Sequence, residues 1–253
     1  MKKIIALSLL VFTGVLLAQG TNPEFYQPRR IVLKPNAGLL PDHSWMGELH
    51  LGEGGTFIGG FSIGLWGRVQ VGVSYGAYGV LGRGEAIAYP RPNFVAKIRP
   101  VEESAKMPAI VIGYDDQGLG RWDKDLVRYS IKSPGIFLVT SKNWATFGGN
   151  FGLHAGMNFS LETKDQHGFD VYVGFDKNLG KMFAISVEYD AGINDNDTKD
   201  DLYGQGKGYL NVGFKWSVRP DFEIEFIAAD CLVNSETENS FSREVRLTFV
   251  YPL

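Results

Sequence analysis

Hydrophobic and polar residues alternate along most of this chain. Over 147–162, Phe147, Gly149, Phe151, Leu153, Ala155, Met157, Phe159 and Leu161 fall on one side. Gly148, Asn150, Gly152, His154, Gly156, Asn158, Ser160 and Glu162 fall on the other. A period of two over this length is a strand period, not a helical one. The split recurs at 169–176, 183–190, 209–216, 222–229 and 244–251. Less regular strands are expected at 45–51, 56–65, 68–76, 92–99, 108–116 and 135–143. The first and last of these have ambiguous facing. The pattern therefore predicts an all-β chain of about twelve strands.

Alternation alone fits soluble barrels as well. Three features separate the cases. First, connections alternate in length. Short ones are expected at 66–67, 144–145, 178–180 and 219–220, and long ones at 77–91, 117–134, 192–206 and 233–241. An up-and-down barrel with short turns at one rim and loops at the other is the outer-membrane arrangement. Second, Trp45, Trp66, Trp144 and Trp216 fall near the short-turn rim, with Tyr251 ending the last strand, while Tyr75 and Tyr189 fall near the opposite rim. Two aromatic belts suit the two interfaces of a bilayer. Third, the apolar faces of the last six strands carry charge only at their ends, at Lys177, Lys181, Asp230 and Arg243. A charge at mid-bilayer on the lipid face costs about 2–4 kcal/mol.

The polar faces predict a lumen lined by Arg68, Gln70, Lys97, Arg99, Asn150, His154, Asn158, Glu188, Asn211, Lys215, Glu223, Glu225, Glu244 and Arg246. Acids outnumber bases among the inward positions. An open lumen should mildly favour cations, and in a narrow one the charges should pair and plug it. Glycine makes up 32 of the 253 residues. Gly72, Gly148, Gly152, Gly156, Gly174 and Gly213 fall on the lumen face, where glycine is expected to keep the lumen from filling and to let the sheet bend.

The chain start reads as a secretory signal over 1–20: Lys2 and Lys3, an apolar run at 4–17, then Ala18-Gln19-Gly20. Residues 21–44 are then expected as a periplasmic segment and 45–253 as the barrel, with both termini in the periplasm. The net charge of −3 and four histidines give no footprint for nucleic acid. The one cysteine, Cys231, excludes an internal disulfide framework.

Candidate chemistry is sparse. A barrel phospholipase would need a serine near a histidine and an orienting partner. His154 lies on the polar face, and neither Ser62 nor Ser160 is linked to a base by spacing. The acidic stretch 194–201 lacks the glycine and glutamate of an EF-hand. The stretch 204–208 has the wrong spacing for a phosphate loop. No catalytic residue, cofactor or metal is expected.

Two segments, Leu33-Lys-Pro-Asn-Ala-Gly-Leu-Leu-Pro41 and Pro108-Ala-Ile-Val-Ile-Gly-Tyr-Asp115, resemble the YjbH-type outer-membrane proteins associated with exopolysaccharide. They cover a small part of the chain, and no functional residue carries over. The resemblance implies a barrel linked to polysaccharide export or surface assembly. The reading that emerges is an outer-membrane β-barrel in contact with lipid. It acts as a narrow passive channel for small solutes, or as a barrel supporting envelope assembly or polysaccharide export. A membrane-embedded lipid-modifying enzyme and a secreted soluble ligand-binding barrel are the alternatives.

Overall fold

A computed structural model describes residues 28–82, 85–162, 168–195, 204–235 and 240–253. The signal-like residues 1–20 lie outside this set, as does most of the acidic stretch 194–201. In chain order the strands are β1 (Ser44–Gly52), β2 (Thr56–Leu65), β3 (Val69–Tyr78), β4 (Ile87–Ala88), β5 (Asn93–Val101), β6 (Ala109–Asp115), β7 (Leu119–Asp123), β8 (Arg128–Ile131), β9 (Gly135–Thr146), β10 (Gly149–Phe159), β11 (Phe169–Leu179), β12 (Phe183–Asp190), β13 (Tyr209–Arg219), β14 (Phe222–Ala229) and β15 (Ser242–Pro252).

Among these, twelve form a closed antiparallel ring. Each pairs with the next barrel strand along the chain, and β15 returns to β1. Closure leaves the ring without a sheet edge, so its strands pair on both sides. β4 is a two-residue addition to β3, and β7 and β8 form a separate hairpin within the connection from β6 to β9.

Alternation is what closes the ring this way, because each strand must send one face out and one in. Exposed and buried positions alternate accordingly. On β11, Val171, Val173 and Phe175 are exposed while Asp170, Tyr172 and Asp176 are buried. On β5, Phe94 and Ile98 are exposed while Asn93 and Lys97 are buried. The interior is thus polar and the outer wall apolar, the inverse of a soluble domain.

The turn between β9 and β10 differs from the sequence reading. The expected turn at 144–145 lies inside β9, and the chain reverses at Phe147–Gly148 instead. Gly148 (φ 78°) and Gly149 (φ 139°) hold backbone conformations that side-chain-bearing residues rarely adopt, which places the turn there. Gly148 is therefore a turn residue rather than a lumen residue, and Phe147 is fully exposed at the rim.

The larger difference concerns the segment before the barrel. Residues 28–40 lie inside the lumen rather than in a separate segment outside it, and 41–43 are exposed before β1 begins. Ile31 and Val32 have no solvent exposure, and Asn36, Ala37 and Leu40 are also buried. The segment doubles back on itself: Arg30 bridges Pro35, and the Ile31 N–H donates to the Lys34 carbonyl at 2.9 Å. It passes beside Gly64, near the short-turn end of β2, before joining β1. It forms a plug.

The lumen glycines have a role opposite to the expected one. They make room for side chains that fill the interior. A Cβ on Gly156 would sit 2.3 Å from the Tyr172 ring, and one on Gly152 would sit 2.7 Å from the Asp176 carboxylate. A Cβ on Gly174 would meet Ile31 of the plug at 2.7 Å and the wall carbonyl of Val187 at 2.5 Å. Gly156→Val is expected to cost about 1–3 kcal/mol of barrel stability through this overpacking. The midpoint of urea unfolding in lipid vesicles checks it, and an unchanged midpoint would show that the interior has slack.

Candidate lumen site

The plug and the wall are joined by charged and polar contacts at named positions. Glu188 on β12 is fully buried, and its Oε2 accepts the plug N–H groups of Val32 (3.0 Å), Leu33 (3.1 Å) and Lys34 (2.8 Å). Its Oε1 accepts from Asn211 Nδ2 at 2.9 Å. Three convergent amide donors suit a carboxylate removed from water. Plug carbonyls are met by wall cations. Lys97 Nζ donates to the carbonyl of Arg29 at 2.8 Å and contacts those of Asn36 and Gly38. Arg246 donates to the Val32 carbonyl at 2.9 Å, and Lys215 reaches those of Arg30 and Ile31 at 3.4 Å. The Gln70 side chain accepts the Leu40 N–H at 3.2 Å.

The plug's own cations face wall acids. Lys34 Nζ lies 2.8 Å from Asp190 and 3.8 Å from Asp170. Arg30 lies 3.5 Å from Asp115 and 3.8 Å from Glu48. Other lumen charges are matched within the wall. Arg246 pairs with Glu225 at 2.8 Å, Lys215 lies 3.6 Å from Glu225, and His50 meets Glu244 at 2.7 Å. Asn158 donates to the Pro134 carbonyl at 3.0 Å, and Asn150 and Glu223 are buried in the interior.

Two of the expected lumen residues are placed differently. Arg68 closes the turn before β3, and its largely exposed side chain pairs with Glu102 at 3.1 Å, outside the lumen. The turn at Trp66–Gly67 delays the start of β3 to Val69, which leaves Arg68 at the rim. Arg99 is half-buried near the same rim and donates to the Gly67 carbonyl at 2.9 Å.

His154 belongs to a chain of contacts that sequence spacing did not reveal. Its Nδ1 lies 2.8 Å from Ser141 Oγ, and its Nε2 lies 2.6 Å from Asp176 Oδ1. Ser141 is on β9, one strand away, so only strand pairing brings the two together. The order serine, histidine, carboxylate is that of a hydrolase relay. Here Ser141 Oγ also accepts the Ala37 N–H at 3.0 Å. The plug amide is thus spent on the hydroxyl itself and cannot stabilise an oxyanion beside it. The arrangement fastens the plug to the wall.

The remaining internal space is divided. A cavity of about 390 Å³ lies beside the plug, with Pro28, Gly38, Arg99, Glu103, Asn143 and His154 in its lining. Elsewhere, voids of about 30 Å³ and 40 Å³ adjoin Arg30. They have room for ordered water but not for an organic solute.

The β7–β8 hairpin covers the long-loop mouth. Tyr129 meets Tyr89 and Trp122 edge-to-face, each with ring centroids 4.8 Å apart, and these rings pack with Ile58 and Leu119. Arg128 is wholly buried and lies 2.6 Å from Asp195, which accepts from the Tyr209 hydroxyl at 2.6 Å. Glu162 accepts the N–H groups of Tyr129 and Ser133, both at 2.9 Å. Lys132 donates to the Asn194 carbonyl at 2.6 Å. Burial pushes the Lys132 ammonium down to about 8, against the pull of Asp195. Unfolding the hairpin returns Lys132 to its ordinary range near 10.5, so between these values the open state binds more protons. The hairpin should therefore tighten as pH rises from about 8 towards 10.5. Denaturant titration of Trp122 fluorescence at pH 7.5 and 9.5 checks this, and a lower midpoint at pH 9.5 contradicts it.

The aromatic positions are placed as follows. Trp45 stacks on Phe61 and Tyr251 at 5.9 and 5.5 Å. Trp66 protrudes from the β2–β3 turn. Trp144 lies 6.3 Å from Phe151, and Trp216 lies 6.4 Å from Phe183, near the short-turn ends of their strands. Tyr75 and Tyr189 lie towards the other rim, donating to the carbonyls of Tyr89 and Lys207.

No family model and no curated protein matches the chain. Among solved structures, the KdgM porin superposes with a TM-score of 0.50 at 10% identity, over 81% of this chain and 98% of that one. The fold is that of a porin barrel. A KdgM porin in complex with disordered oligogalacturonate gives 0.48 at 10% identity, over 83% and 99% of the two chains. The NanC porin gives 0.44 at 11% identity, over 83% and 99%. The resemblance to YjbH-type proteins finds no support in these comparisons. Its two segments have structural reasons instead: 33–41 is part of the plug, and 108–115 spans the β6 wall that the plug packs against.

Proposed function

We propose that this porin-type barrel spans an outer membrane and serves as a narrow, non-enzymatic channel for small solutes. The observation that carries the reading is the inversion of polarity across the wall. Phe94, Ile112, Leu153, Met157 and Val173 face outward and are exposed, while the buried faces carry carboxylates, lysines, asparagines and histidines. An apolar outer wall is stable against lipid and not against water, which argues against the secreted soluble barrel. The aromatic side chains near both rims suit the two bilayer interfaces. No helix among the described residues is long and apolar enough to cross a membrane, and strands need none.

The expected result is fractionation with outer membranes and a heat-dependent change in gel mobility, with conductance steps in a planar bilayer. A soluble protein of heat-insensitive mobility would overturn the membrane assignment. An assembled barrel that seals the bilayer under every condition would overturn the channel assignment alone.

A further inference from the structure

We infer that the plug is a removable occupant of a cation pathway, and that its Arg30 and Lys34 stand where cationic solutes bind. The inference rests on the channel reading and names the regulation and solute class of that same lumen. Three observations carry it.

The first is charge complementarity. Residues 28–41 carry Arg29, Arg30 and Lys34 and no acid. Arg30 sits against Glu48 and Asp115, and Lys34 against Asp170 and Asp190. These are two acidic stations, one filled by a guanidinium and one by an ammonium. Glu188 adds a third carboxylate that the plug amides satisfy.

The second is what the wall would present without the plug. Glu225 would keep Arg246 and Lys215, Glu244 would keep His50, and Asp176 would keep His154. Glu48 would lose Arg30 but keep Arg246 at 3.9 Å, Asp115, Asp170, Asp190 and Glu188 would lose their plug partners, and Lys97 would lose the plug carbonyls it holds. The emptied lumen is therefore acidic along its length, and such a lining favours cations.

The third is the nature of the joint. Most of it consists of polar contacts to side chains that water can solvate equally well. Its apolar part joins Ile31 and Ala37 to Ala109, Val111, Phe137, Val139 and Tyr172, and Val32 and Leu33 to Ile227, Ala229 and Leu119 of the hairpin, with Leu40 beside Gly64. The ring's own hydrogen-bond ladders run from strand to strand and do not pass through the plug. Withdrawal towards the short-turn rim, where the plug joins β1, leaves the ring closed.

The test uses the full chain in planar bilayers under a KCl gradient. One variant replaces residues 29–38 with a Gly/Ser linker of equal length. A milder one, Arg30→Glu with Lys34→Glu, keeps the plug but repels it from the wall. Both are also made in a chain whose β7–β8 hairpin is shortened to a linker, so that a covered mouth is not mistaken for a plugged lumen. Assembly of each is checked by heat-shifted mobility.

The expected result is a severalfold rise in conductance over the matching parent, with a reversal potential showing preference for K⁺ over Cl⁻. Polyamines such as spermidine should then block the current. Parents that conduct as well as their plug variants would overturn the inference and leave the channel reading standing. A rise without cation preference would also overturn it. Sealed bilayers from every assembled variant would overturn the channel reading and this inference together.

Discussion

Val173→Arg lowers the stability of the barrel in lipid vesicles by about 2–4 kcal/mol, the cost of a charge at mid-bilayer on the lipid face. Val173 lies mid-way along β11, is 53% exposed and pairs with Ala155 and Tyr189 on the neighbouring strands. Nothing in the interior would clash with the new side chain, because it points away from the lumen. The loss would come from the surrounding solvent alone. The control is Trp66→Arg in the exposed β2–β3 turn, where interfacial depth reduces the cost to about 0–1 kcal/mol. Urea unfolding of both variants in vesicles measures the difference. Equal, small effects at the two positions would mean that the outer wall does not face hydrocarbon.

The ring was legible in the sequence because it depends on a local property. A strand that faces lipid on one side and polar groups on the other must alternate, and β10 to β15 do so plainly. The plug was not legible, since its contacts are long-range: Val32 and Glu188 are 156 residues apart. Yet it left a trace. The strand at 135–143 had ambiguous facing because both its faces are apolar. Ile136 and Leu138 are exposed on the outer wall, while Phe137 and Val139 are buried against Ile31 and Ala37 of the plug. A lumen lined only by water would not need Phe137 or Val139. Failure of alternation in a single strand thus marked the place where the lumen is filled. The acid excess on the inward faces was a second trace. Arg30 and Lys34 supply the missing countercharge, but from a segment that lacks any strand pattern. Ser141 was missed for the same reason as the plug, since only the pairing of β9 with β10 sets it beside His154.

Arg128→Met should release the hairpin over the mouth while the ring stays intact. Arg128 has no solvent exposure, and its guanidinium donates to the carbonyls of Tyr129 and Ser130, both at 2.8 Å, besides pairing with Asp195. Methionine can fill much of the volume, but it leaves the Asp195 carboxylate buried without its guanidinium partner, the Tyr209 hydroxyl still donating to it. Removing one partner of a buried ion pair costs about 3–5 kcal/mol, since the other charge stays behind. The barrel strands form their ladders with one another and not with β7 or β8, so the loss falls on the hairpin and not on the ring. Amide exchange over 119–131 should therefore accelerate, and cleavage within the exposed 123–126 turn should follow, at unchanged heat-shifted mobility. Adding Asp195→Leu removes the stranded charge and should recover much of the protection. Exchange as slow in Arg128→Met as in the parent would show that the aromatic cluster of Tyr89, Trp122 and Tyr129 holds the hairpin without the ion pair. Loss of the heat-shifted form would show instead that hairpin and ring unfold as one unit.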